Sequence, residues 1–443
     1  MEHQALDVRA HINGRSMSRY QWLLLGLCFL IVATDGMDVA IMGFLAPDII
    51  AEWGISRTAF GVAMSATPVG LAIGALFVGP MSDRWGRKKM LLGAVTLFGL
   101  FNVLSAAADN IVVLGLLRFL TGLGLGAAMP CCTTLLSEYV PERSRSTLLA
   151  VMFTGFNLGS ALIGFAAAGL LPSYGWRGML MMGGAIPLLC LPFYVFLLPE
   201  SARFMVVRKM PSAKIAQTLR RVCGGSFGDA THFHVSEPPV ATGHPVATLV
   251  SPTYKTMTLS LWTTYFMGLL VIYLLGGWLP TLIRDAGLPI ERAASLTALF
   301  QLGGTIGALV VGFYMDRWRA NRVIGLAYGG GAVFILALAA SDINSAMFTA
   351  FVMLAGFCMN GAQTGMTAFA PACYPTAVRA TGVSWMLGIG RFGSILGSLL
   401  GGVLLSMGWG FSAVIAILGI PAAIAGLAIL LVHAGARGTP KAA

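Results

Sequence analysis

Charge is scarce in this chain. Asp, Glu, Lys and Arg make up 10% of its 443 residues, where soluble domains carry about 25%, so an ordinary water-facing globular surface is excluded. Acids are fewer than bases, 17 against 28. The six histidines all lie outside the first eleven apolar stretches described below. The seven cysteines, at 28, 131, 132, 190, 223, 358 and 373, show no Cys-x-x-Cys spacing and join no histidine in a ligand pattern. Metal centres and a disulfide framework are therefore not expected, and packing is the role left to most of these thiols. A membrane-embedded enzyme would need a nucleophile with its base, or a metal cluster. Neither is present, so the chain is not expected to be an enzyme or to hold a cofactor. Nor do basic residues alternate with exposed aromatics, which argues against nucleic acid as a partner.

Hydrophobic residues, in contrast, reach 57%, and the mean hydropathy is +0.82. The lipid bilayer is the expected solvent. Stretches of about 20 apolar residues, enough to cross a bilayer as helices, are read at 21–45, 58–80, 89–108, 111–136, 147–171, 178–198, 257–280, 294–315, 322–341, 346–369, 380–405 and 411–433. They are numbered here as spans 1 to 12. The fold class is an all-α membrane protein of twelve transmembrane helices in two six-helix halves. Its expected divisions are an N-terminal segment 1–20, a first half 21–198, a linker 199–256, a second half 257–433 and a tail 434–443. Most Lys and Arg fall in the terminal segments, the linker and the turns after even-numbered spans. Cytoplasmic loops carry such an excess, so both termini are expected in the cytoplasm. Arg57, Arg177, Arg284 and Arg292 lie on the sparse side, and Arg118 and Arg391 inside spans. The first apolar run is too long for the core of a cleaved signal. The linker stretch Ala202–Arg221 reads as an amphipathic helix on the inner leaflet, and 224–244 as irregular.

The halves are related. Gly79-Pro80-Met81-Ser82-Asp83-Arg84-Trp85-Gly86-Arg87-Lys88 returns as Gly312-Phe313-Tyr314-Met315-Asp316-Arg317-Trp318-Arg319. A charged turn repeated between apolar helices marks a duplicated bundle, the common architecture of carriers. Glycine is abundant, 56 residues, and recurs at four-residue spacing in pairs such as Gly155/Gly159 and Gly393/Gly397. Such pairs let helices approach closely.

Two kinds of charge stand out. Inside span 1, Asp35-Gly36-Met37-Asp38 places two carboxyls on one helix face, at a depth where an acid costs on the order of 3 kcal/mol. Proton coupling is the expected role of Asp35 and Asp38. Arg118 and Arg391 are the matching cations, suited to gripping a carboxylate with two parallel hydrogen bonds. Near them Tyr265, Trp385 and Phe392 offer stacking surfaces, and Asn157, Gln301, Asn360 and Gln363 offer amides to ring hydroxyls. At the cytoplasmic mouth, Asp83, Arg84, Arg87, Glu138 and Arg143 are echoed by Asp316, Arg317 and Arg379. Charge pairs across that mouth would form a latch that holds in one state and breaks in the other.

Beyond the repeated turn, Asp35-Gly36-Met37-Asp38, Arg118-Phe119-Leu120-Thr121-Gly122-Leu123-Gly124, Leu136-Ser137-Glu138-Tyr139, Pro199-Glu200-Ser201-Ala202-Arg203-Phe204 and the run from Arg379 to Gly393 can be read together. With it they resemble the major facilitator superfamily and, within it, the aromatic acid:proton symporters, from about Tyr20 to the end of span 12. The resemblance implies proton-driven import of hydroxylated aromatic carboxylates across a bacterial inner membrane, with the two aspartates and the intramembrane arginines required; a monomer is expected. The second repeat continues as Arg319-Ala320-Asn321-Arg322, where the resemblance leads one to expect a histidine in 4-hydroxybenzoate carriers. Gallate, protocatechuate, vanillate and 4-hydroxybenzoate stay open as substrates. A channel would want rings of like charge, for which two acids and two arginines are too few. A proton-driven efflux carrier of the same fold is the alternative.

Overall fold

In the computed structural model the described residues are 5–224, 232–234, 248–374 and 376–432. The tail at 434–443, most of the irregular linker stretch and Pro375 lie outside them. Eleven helices among the described residues are long and apolar enough to cross a membrane. One of them, Glu142–Leu197, is two spans joined at Gly175, whose φ of 65° and ψ of 179° break the helical path. Spans 5 and 6 are its two arms, and the expected twelve are all present. Span 1 is Arg19–Trp53, span 2 Arg57–Trp85, span 3 Arg87–Ser105 and span 4 Ile111–Tyr139; spans 7 to 12 are Lys255–Asp285, Ile290–Arg317, Ala320–Ala340, Ala346–Cys373, Thr376–Ser406 and Phe411–Leu431. Helices suit lipid because every backbone group is satisfied within the segment.

Local chemistry sets the helix ends. Ser18 and Gln21 form a capping box at the start of span 1, the serine hydroxyl accepting from Gln21 N at 3.1 Å and the Gln21 side-chain Oε1 from Ser18 N at 2.7 Å. Ser56, Asn110 and Ser345 cap spans 2, 4 and 10 more simply, each with a side-chain oxygen that accepts from a first-turn N–H. Span 1 stops at Gly54, in the left-handed region at φ 59°.

The duplication seen in the sequence is repeated in the packing. Span 1 lies on span 5 as span 7 lies on span 11, and span 2 on span 4 as span 8 on span 10. Glycine permits the approach: a Cβ at Gly159 would sit 1.9 Å from the Ala33 carbonyl oxygen, and one at Gly397 2.4 Å from that of Leu270. The halves meet through spans 1 and 7, 2 and 11, and 5 and 8.

The linker differs from its expected form. It folds as two short helices, Ala202–Val207 and Ser212–Cys223, separated by Lys209 at φ 52° and by Pro211. Ile215, Leu219, Val222 and Cys223 do line one face, but that face is buried with Val8, Ile12, Leu24 and Tyr194. The protein's own N-terminal segment supplies much of the apolar cover, so this face does not rest on lipid. A strand at Ala5–Asp7 runs parallel to one at His232–His234, and Arg9 pairs with Glu142 at 2.5 Å, tying the segment to the first half. Burial pushes the Cys223 thiol up to about 11, as suits a packing residue.

Candidate functional site

Asp35 and Asp38 are both 1% exposed, yet the fold treats them differently. Arg118 of span 4, fully buried, grips Asp38 with both ends of its fork, Nη1 to Oδ1 at 3.1 Å and Nη2 to Oδ2 at 2.6 Å. Its remaining donors are used as well, Nη1 to Asn102 Oδ1 at 2.9 Å and Nε to Thr67 Oγ1 at 3.2 Å. Arg118 was expected to meet a ligand. In this conformation three neighbours occupy it.

Asp35, nearly one turn earlier, has no such partner: its Oδ1 is buried and makes no hydrogen bond among the described residues. The positive charge that acts on it is that of Arg391 of span 11, whose guanidinium lies beside the Tyr273 hydroxyl of span 7. Among the described residues Arg391 makes no ion pair. The centre of the bundle thus holds one acid and one base that are not committed to each other. A buried charge needs a proton or a counter-ion.

A cavity opens between the halves, lined by Val39 and Met42 of span 1, Met64 and Thr67 of span 2, Phe156 and Ser160 of span 5, Tyr273, Gly276 and Gly277 of span 7, Gln301 of span 8 and Ser398 of span 11. Asn157 is buried on the helix that supplies Phe156 and Ser160. In the second half Tyr265 is near both Arg391 and Gln363, and Tyr328 donates to Gln363 Oε1 at 2.5 Å. Asn360 packs on span 8 at Gly304. Gln301 Oε1, Asn360 Nδ2 and Gln363 Nε2 are buried without partners among the described residues. The other two aromatics point elsewhere: Trp385, 44% exposed, stacks on Trp262 with ring centroids 5.8 Å apart, and Phe392 is 66% exposed.

At the end of the bundle that carries the chain termini, the charged turn pairs within the first half. Arg87 bonds Asp83 at 2.7 Å and lies 3.6 Å from Glu138, while Glu200 accepts from Lys88 N at 3.1 Å and Ser201 N at 2.9 Å. Arg143 donates to the Arg15 carbonyl. On the second half Arg317 sits over the Phe313 ring and Arg379 donates to the Tyr374 carbonyl; Asp316 is exposed. Among the described residues no ion pair joins Asp83, Arg84, Arg87, Glu138 or Arg143 to Asp316, Arg317 or Arg379. The expected bridges across that mouth are not made in this conformation.

The opposite end does bridge the halves. Arg284 meets Asp48 at 2.7 Å, Arg57 meets Asp285 at 2.7 Å, and Thr58 Oγ1 donates to Ser406 Oγ at 2.8 Å. Sequence reasoning missed Asp48, Asp285 and Ser406. The signal that existed was Arg57 and Arg284, basic residues on the sparsely basic side. Directly beneath, Gly43 of span 1 meets Gly277 of span 7 so closely that a Cβ would lie 2.7 Å from the Gly277 carbonyl oxygen. The bundle is sealed at this end.

Comparison with known proteins agrees with this architecture. The profile described as Major Facilitator Superfamily matches residues 28–294 and 261–443. A gallate transporter of Pseudomonas putida is 56% identical over 436 residues, covering 98% of this chain and 97% of that protein. The 4-hydroxybenzoate transporter PcaK of Pseudomonas aeruginosa is 50% identical, over 97% of this chain and 96% of its own. Among solved structures, the xylose transporter XylE of E. coli superimposes with a TM-score of 0.72 at 16% identity, over 93% of this chain and 95% of that one, a likeness of fold. A multi-pass membrane protein so matched is a transporter and not an enzyme: the chain belongs to the major facilitator superfamily, among the aromatic acid:proton symporters that its motifs resemble.

Proposed function

We propose that this protein is a symporter that imports hydroxylated aromatic carboxylates of the 4-hydroxybenzoate, protocatechuate, gallate or vanillate type together with protons, across a bacterial inner membrane. The observation that carries the reading is the uncommitted pair at the centre: among the described residues, Asp35 has no hydrogen bond on Oδ1 and Arg391 has no ion pair. Arg391 takes the substrate carboxylate and Asp35 takes the proton, while Asp38 and Arg118 neutralise each other and hold span 1 to span 4. The gallate and 4-hydroxybenzoate relatives support the substrate class.

With both termini in the cytoplasm, as the distribution of Lys and Arg favours, the sealed end is periplasmic and this conformation faces inward. Alternating access then requires the periplasmic bridges to break. They are suited to it: each pair is about a third exposed or slightly more, and pairs of that kind contribute only about 0.2–1 kcal/mol. In the outward-facing state the charged turns at Asp83, Arg84, Arg87, Glu138 and Arg143 close against Asp316, Arg317 and Arg379.

Cross-linking tests the rocking motion. With Thr58→Cys and Ser406→Cys combined, an oxidant should form a disulfide and reduce uptake to background, and a reductant should restore it. Unimpaired uptake by fully cross-linked protein would show that this end need not open. The function itself is tested by uptake of labelled aromatic acids into proteoliposomes with an imposed proton gradient. Accumulation that collapses on adding a protonophore is expected; accumulation indifferent to it would remove proton coupling, and export driven by inward proton flow would favour the efflux alternative.

A further inference from the structure

The buried amide of Gln301 carries one unused atom beside the cavity between the halves. Gln301 is 6% exposed, its Oε1 has no hydrogen-bond partner among the described residues, and it lines the cavity between the halves. An acceptor withdrawn from water and left unpaired is destabilising, and native interiors rarely keep one without a use. Across from it, Gly276 leaves the wall of span 7 bare: a Cβ there would come to 3.4 Å from Gln301 Nε2. Tyr273 lines the same cavity and also stands beside Arg391, so this tyrosine links the cavity wall that holds Gln301 to the arginine.

We propose that Gln301 is the specificity residue for ring hydroxylation, its Oε1 accepting the hydrogen of a phenolic hydroxyl whose ring carries the carboxylate held by Arg391. The inference rests on the aromatic-acid reading and extends it to the choice among those acids. A bare benzoate ring leaves the acceptor as unpaired as the empty site does. A hydroxylated ring satisfies it. Discrimination of this kind is steep because a site built to hydrogen-bond a hydroxyl is penalised when the hydroxyl is missing.

The test is a binding matrix on purified protein by calorimetry, with benzoate and its 4-hydroxy, 3,4-dihydroxy and 3,4,5-trihydroxy derivatives against wild type, Gln301→Met and Gln301→Asn. Wild type should bind the hydroxylated acids at least about tenfold more tightly than benzoate. Gln301→Met, of similar volume and apolar, should shrink that ratio to about threefold or less through weaker binding of the hydroxylated acids, with benzoate affinity kept. Gln301→Asn, which keeps the amide but retracts it, should fall between, and benzoate binding by either variant certifies a folded site. An equal loss for all four acids, or an unchanged ratio, would overturn the assignment of Gln301 while leaving aromatic-acid transport standing. Failure of wild type to bind any of the four would remove the transport reading and this inference together.

Discussion

Asp35→Asn is expected to abolish concentrative uptake, reducing the accumulation ratio to about one, while the protein remains folded and still exchanges labelled for unlabelled substrate across the membrane. The amide keeps the shape of the carboxyl but carries no proton, so reorientation is uncoupled from the gradient. Folding is spared because Asp35 Oδ1 makes no hydrogen bond among the described residues. Asp38→Asn is the control that separates the two acids. It strips the counter-ion from Arg118, which is 0% exposed, and leaving a buried charge unpaired costs about 3–5 kcal/mol. Its main effect should therefore be a lower yield and a lower thermal unfolding midpoint in detergent. Loss of stability in Asp35→Asn, with Asp38→Asn unaffected, would invert the assignment.

Arg391→Lys should lose most substrate binding although the positive charge is kept. A guanidinium grips a carboxylate with two parallel hydrogen bonds in one plane, and an ammonium cannot reproduce that fork. Losing a charge-assisted contact in a water-poor cavity costs about 2 kcal/mol or more, on the order of thirtyfold in Kd. Calorimetry on the purified variant measures this directly, and a ligand whose carboxylate is replaced by a neutral amide should bind wild type with a similar loss. Wild-type affinity in Arg391→Lys would leave this arginine a structural cation and return the carboxylate to another donor.

Much of the architecture was legible in the sequence because lipid imposes it. Twelve apolar runs and a repeated charged turn leave few alternatives to a duplicated helical bundle, and the glycine spacings pointed to close crossings such as Gly159 against Ala33. The site was legible as a list of residues and not as a set of partnerships. Asp35 and Asp38 share a helix face three residues apart, yet they differ in role because span 4 brings Arg118 against one of them, and no local pattern shows which. Phe392 follows Arg391 directly, but successive helical residues are about 100° apart, and the phenyl ring is turned out. The linker helix had its apolar face correctly placed, while the identity of what covers that face depended on where the N-terminal segment folds back. The bridges at the sealed end escaped notice because Asp48 and Asp285 sit at helix ends, where an acid resembles any loop charge until its partner from the other half is known.

The central claim is that Asp35 moves a proton when the aromatic anion moves. Proton flux in proteoliposomes carrying an internal pH dye measures it most directly: adding gallate or 4-hydroxybenzoate outside, with no imposed gradient, should acidify the lumen in wild type and leave it unchanged in Asp35→Asn. Substrate entry without lumenal acidification in wild type, or acidification that persists in Asp35→Asn, would contradict the account.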